Sequence, residues 1–192
     1  MSDWQQRLTR DLEPVLRAPD PRARISAYHN MPYAIFHYPP EEEILLRAEL
    51  GLLCTRLGQI GKRVTRISLA ECLAEALTVE GLTTDRIADA EMRTGTEKMV
   101  DTIHMVISRR RPLDDLVASR IPAGADPTRD IVFIVRAGSL FPFYRTSSLL
   151  EQLKGKLEVP AVLFYPGVLD GVAGLKFMGV LEAEHNYRPK IF

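Results

Sequence analysis

The chain has 192 residues, 46% of them hydrophobic, and its 25 Lys and Arg balance 25 Asp and Glu. That size and apolar content suit one compact domain with a buried core, and a formal charge of zero removes any overall electrostatic pull toward nucleic acid. No stretch approaches the roughly 20 apolar residues of a membrane span, and the polar start MSDWQQRLTRDLEP is not a signal peptide, so a cytoplasmic, non-membrane protein is expected.

Trp4, Leu8, Leu12, Val15 and Leu16 recur at helical spacing, giving an amphipathic first helix. Its apolar face suits packing on a second copy or a partner. Pro19 and Pro21 end it, and residues 25–32 read as a connector or a short extra helix. Tyr33 to His37 is the first strand. Pro40 then opens a helix reaching about Ile60, with Ile44, Leu45, Ala48, Leu52 and Leu53 as its expected core stripe and Gly58 and Gly61 at its end. Arg63 to Leu69 is a second strand, and Ser68 with Glu71 forms a capping box for a helix over Ala70–Val79, stopped by Gly81. Cys72 on this helix and Cys54 on the one before read as small buried hydrophobes rather than metal ligands.

Thr83, Thr84 and Asp85 cap a longer helix expected to run to about Arg110, where Pro112 ends the pattern and Arg109 to Arg111 suit the negative pole of the helix dipole. Leu113 to Ser119 is one more short helix. "IVFIV" at Ile131 to Val135 and "PAVLFY" ending at Tyr165 are continuous apolar runs, the pattern of strands covered on both faces. Phe141 to Leu157 reads as largely helical, Leu175 to Val180 as a strand, and Arg188 to Phe192 as a terminal strand or arm. The alternation predicts an α/β fold with a mostly parallel central sheet flanked by helices. Its layering is Rossmann-like or P-loop-like, without a P-loop. Residues 1–31 form an N-terminal helical extension and residues 32–192 a single α/β domain.

In such sheets ligands gather beyond the carboxyl ends of the strands. At the first end, HYPPEEE, Pro39 and Pro40 remove two amide donors and Glu41, Glu42 and Glu43 would repel a phosphate. Those glutamates favour the positive end of a helix dipole, so the segment is a stiff strand-to-helix junction. At VRAGSLFPF, Gly138 suits a tight turn, and Arg136 suits either gripping an anion or tying loops together through Glu41 or Asp170, the tie being expected. Phe141, Pro142 and Phe143 read as packing. At FYPGVLDG, Tyr165-Pro166-Gly167 is expected to turn on the unusual backbone angles of glycine, and Asp170-Gly171 is a second turn pair. Ser139 lacks the G-x-S-x-G elbow. The histidines, at 29, 37, 104 and 185, show no diagnostic spacing, and His37 and His104 are expected to be satisfied structural residues.

The ordered set FHYPPEEE, VRAGSLFPF, VLFYPGVLDG and NYRPKIF resembles the BrxB family of bacteriophage exclusion (BREX) defence systems, over roughly Pro32 to Phe192. The resemblance implies a small cytoplasmic protein needed for phage restriction. It also implies a partner, the PglZ-type component encoded in the same operon, within a larger assembly. It carries over no catalytic residue and no cofactor. The motif positions it marks are Tyr38, Pro39, Pro40 and Glu41; Arg136, Gly138 and Pro142; and Tyr165, Pro166, Gly167, Asp170 and Gly171. The expected function is a non-catalytic adaptor that binds the PglZ-type protein, with a homodimer also compatible. The alternative is a nucleotide-binding or degenerate ATPase-like protein using Arg136 and Asp170. Direct nucleic-acid binding through Arg22, Arg24 and Arg109 to Arg111 ranks last.

Overall fold

The computed structural model describes residues 2–25, 31–171, 174–185 and 188–192. The expected connector over residues 25–32 lies mostly outside them, as do His29 and residues 186–187 of the tail motif. Six strands are seen: β1 (Tyr33–Tyr38), β2 (Arg63–Ser68), β3 (Asp130–Val135), β4 (Ala161–Asp170), β5 (Gly174–Phe177) and β6 (Lys190–Ile191). They run in the order β2-β3-β4-β1-β6, every neighbouring pair parallel, and β5 folds back antiparallel on the far half of β4.

Helices cover both faces of the sheet. On one side lie α1 (Asp3–Arg7), a π-helical stretch Leu8–Leu12, α2 (Glu13–Leu16), α3 (Arg22–Ile25) and α4 (Glu43–Gln59). Trp4, Leu8, Leu12 and Leu16 join Leu46, Leu50, Leu53 and Leu57 of α4 in one core against Ala34, Phe36, Phe133, Val162 and Phe164. The apolar face of the N-terminal segment is therefore spent on the chain's own sheet. On the other side lie α5 (Leu69–Val79), α7 (Thr96–Met105), α8 (Leu113–Ala118) and α9 (Thr146–Gln152), burying Tyr33, Ile35, Val132, Ile134 and Leu163. Successive strand residues feed opposite cores, which is why β1, β3 and β4 read as unbroken apolar runs.

Local chemistry sets several boundaries as expected. The Ser68 hydroxyl accepts from the Glu71 N–H at 3.3 Å and starts α5. The Thr83 hydroxyl accepts from the Arg86 N–H at 3.4 Å and starts α6 (Thr84–Thr94). Gly61 (φ 80°) and Gly81 (φ 71°) take left-handed conformations after α4 and α5.

Elsewhere the chain departs from the expected pattern. The long helix to Arg110 breaks at Gly95, whose φ of 88° and ψ of 157° no helix holds. Beyond the break α7 ends in a π-helical stretch, Val106–Arg110. Phe141 to Leu157 is helical only within α9, because Pro142 lacks an N–H and holds Phe141 extended at φ −76° and ψ 133°. The strand over 175–180 stops at Phe177, where Met178 (φ 55°) and Gly179 (φ 70°) turn the chain.

The expected core stripe of α4 also faces the other way. Only Leu53 of it is buried, while Ile44, Leu45 and Leu52 are 80%, 42% and 56% exposed. Finally, Tyr165-Pro166-Gly167 makes no turn. These residues continue β4 in register with His37 and Tyr38 of β1 and Phe177 of β5. Gly167 is required for lack of a side chain, since a Cβ would run into the Lys176 carbonyl and the Tyr165 ring.

Candidate functional site

The carboxyl ends of β1, β3 and β4 reach one edge of the sheet, with Tyr38 paired to Pro166 and Ser68 of β2 paired to Val135. From β1 the chain turns onto one face to form α4, and from β3 it turns onto the other. A crevice opens where these exits diverge.

Tyr38 anchors one wall from the interior. It is fully buried, and its hydroxyl donates to the Glu43 carboxylate. Burial, and then the neighbouring carboxylate, hold its pKa far above the ordinary phenol value. The Arg47 Nε donates to the other Glu43 oxygen at 2.9 Å. Pro39 is extended, and Pro40 opens a single 3-10 turn, Pro40–Glu42, ahead of α4. Glu43 is thus a bolt between strand and helix, whereas Glu41 stands exposed.

Opposite, Arg136 sits at φ 59° and ψ 38°, a left-handed conformation uncommon for a residue with a side chain. The Ser139 N–H and hydroxyl both donate to the Arg136 carbonyl, at 3.2 and 2.8 Å, and hold the turn. Gly138 lies against the hairpin, where a Cβ would meet the Met178 sulfur at 3.3 Å. The expected tie from Arg136 to Glu41 or Asp170 is not made. Asp170 pairs with Lys176 at 3.4 Å, and Gly171 (φ 67°) turns the hairpin tip beside it.

Two hollows occupy this edge. One of about 240 Å³ is lined by Pro40, Glu43, Arg47, Arg136, Gly138, Ser139, Pro166 and Met178. The other, about 270 Å³, is lined by Arg47, Leu50, Arg66, Ser68, Glu71, Val135 and Arg136. Pro40, Arg136, Gly138 and Pro166 of the motif positions therefore meet. Pro142, Asp170 and Gly171 line neither hollow, and the Tyr165 hydroxyl donates into the interior, to the Leu175 carbonyl at 3.4 Å. No motif marks Arg47 or Arg66, although the place of Arg66, two residues before the end of an edge strand, is readable from the sequence.

A larger hollow of about 660 Å³ opens by β6, with Arg7, Arg10, His37 and Lys190 on its walls. His37 is buried, hydrogen-bonded with the Gly167 backbone, and its Nδ1 has no partner among the described residues, so it is only half satisfied. Burial first, and the Arg7 charge second, push its pKa down to about 4. His104 is satisfied, its Nδ1 lying 2.9 Å from the Phe143 carbonyl. Cys72 is buried, which raises its thiol to about 11, and Cys54 is half-buried. Among the described residues no group of three or more His, Cys, Asp or Glu is placed to hold a metal ion. None of their helices is long and apolar enough to cross a membrane.

Residues 65–191 match the family model described as BREX protein BrxB. The chain belongs to the BrxB family. It is also 29% identical over 158 residues to the BREX protein BrxB of Bacillus cereus (strain H3081.97), covering 81% of this chain and 80% of that one. No solved structure matches it. Membership makes this BrxB chain a component of a BREX anti-phage defence system. The family match takes in β3, the Arg136 turn and the β4–β5 hairpin, while the Tyr-Pro-Pro-Glu junction and α4 precede it.

Proposed function

We propose that this chain is a non-catalytic adaptor of the BREX system, acting in the cytoplasm, and that it docks on the PglZ-type component of the same operon. The observation that carries this reading is the outer face of α4. Ile44, Leu45 and Leu52 stand in solvent in line with Ala48, on a helix whose inner face is already filled by Leu46, Leu50, Leu53 and Leu57. Large apolar side chains aligned on one exposed helix face are the usual mark of a docking surface. The helix is anchored at its start by the Tyr38–Glu43–Arg47 bonds and the two prolines, so it offers that face preorganised. The choice of partner follows from the resemblance of the strand-end motifs to the BrxB family.

Co-expression of the chain with the PglZ-type protein, followed by size exclusion, tests the reading. The two should elute together, and Leu45→Glu with Leu52→Glu should separate them without unfolding the chain. Separate elution of the native pair would overturn it. Elution of the native chain alone as a dimer that these substitutions dissolve would assign the α4 face to a second copy instead.

A further inference from the structure

Three arginines from three elements turn toward the carboxyl edge of the sheet: Arg47 from α4, Arg66 from β2, and Arg136 from the turn after β3. The two hollows adjoin there and share Arg47 and Arg136. Arg47 is engaged by Glu43, but among the described residues the guanidinium groups of Arg66 and Arg136 make no hydrogen bond or ion pair. One carboxylate, Glu71, also lines this space. Three guanidinium groups against Glu71 and the already bonded Glu43 leave the hollow cationic. Arg136 moreover occupies a left-handed turn that glycine would hold more easily, and two bonds from Ser139 fix it there. An uncommon backbone geometry that keeps a charged side chain at a crevice is characteristic of ligand sites.

We propose that this arginine-lined crevice binds the phosphate groups of a small ligand. A carboxylate is planar and is filled by a single guanidinium fork, whereas a phosphate offers several oxygens in three dimensions to donors arriving from different elements. Each hollow alone falls slightly below the usual size of a small-molecule pocket, and joined across Arg47 and Arg136 they reach it. The crevice lies where sheets of this topology hold their ligands. It differs from a glycine-rich phosphate loop in using side chains where that loop uses backbone amides. This inference does not depend on the adaptor reading, since the α4 residues that line the crevice, Glu43, Arg47 and Leu50, are not those of its exposed apolar face.

Calorimetric titration of the full chain with inorganic phosphate, ATP and acetate, at matched ionic strength, tests it. Saturable binding is expected with at least one phosphate probe and not with acetate. Binding by phosphate alone identifies a free oxoanion as sufficient, and binding by ATP only identifies a larger phosphate-bearing ligand. Arg136→Gly, which suits the left-handed turn, and Arg66→Gln, on an exposed strand position, should each weaken binding about tenfold or more. Arg93→Gln on the exposed helix α6 should leave it unchanged. Absence of saturable binding by both phosphate probes, equal binding of acetate, or indifference to both crevice substitutions would overturn the proposal.

Discussion

Gly167 and His37 sit side by side at the sheet edge, and each carries a consequence that can be measured. At Gly167 the hairpin backbone passes so close that any Cβ would strike the Lys176 carbonyl and lie 2.5 Å from the Tyr165 ring. Gly167→Ala should therefore cost about 2 kcal/mol or more, since the obstacle is backbone that cannot swing aside. Urea denaturation reads this as a lowered midpoint, and an unchanged midpoint would show that the β4–β5 hairpin yields. His37 titrates near 4 when folded and near 6.5 when unfolded. Between those values the unfolded chain binds the proton more readily, so stability is full above pH 6.5 and is lost as pH falls toward 4, by up to about 3 kcal/mol. His37→Gln should flatten the dependence of unfolding free energy on pH across that window. The same slope in both proteins would place the acid sensitivity elsewhere.

At the level of elements, α4 and the N-terminal helices act as one unit. Glu13, 6% exposed, accepts from Arg56 of α4 at 2.8 Å and from Arg17 at 3.4 Å. Burial alone would raise its pKa, but the two arginines outweigh it and lower it. Glu13→Gln should cost about 1–2 kcal/mol, discounted because Arg56 keeps 37% of its side chain in solvent. Thermal melting checks this, and no change would mean the apolar contacts of Trp4, Leu8 and Leu12 hold the segment alone. Strand runs such as "IVFIV" were legible in the sequence because burial on both faces leaves no polar position. The inner face of α4 was not, because leucines surround that helix and periodicity cannot choose between Leu46, Leu50, Leu57 and Leu45, Leu52 until the sheet beneath is known. The arginine crevice was hidden for a similar reason. Arg47, Arg66 and Arg136 stand far apart along the chain and converge only through the strand order, whereas Arg136 was visible because it follows a strand directly.

The whole molecule is a mostly parallel sheet covered on both faces, with helix α4 apolar on both its sides and an arginine-lined crevice at one edge. Its BrxB membership places that architecture in phage defence, and the adaptor account assigns the outer face of α4 to the PglZ-type protein. Calorimetric titration of the purified chain with the purified PglZ-type protein measures this assignment most directly. The account predicts saturable binding that the Leu45→Glu, Leu52→Glu pair weakens by about a hundredfold or more while the melting temperature holds within a few degrees. Undiminished affinity in that variant, or no binding by the native chain, would contradict it.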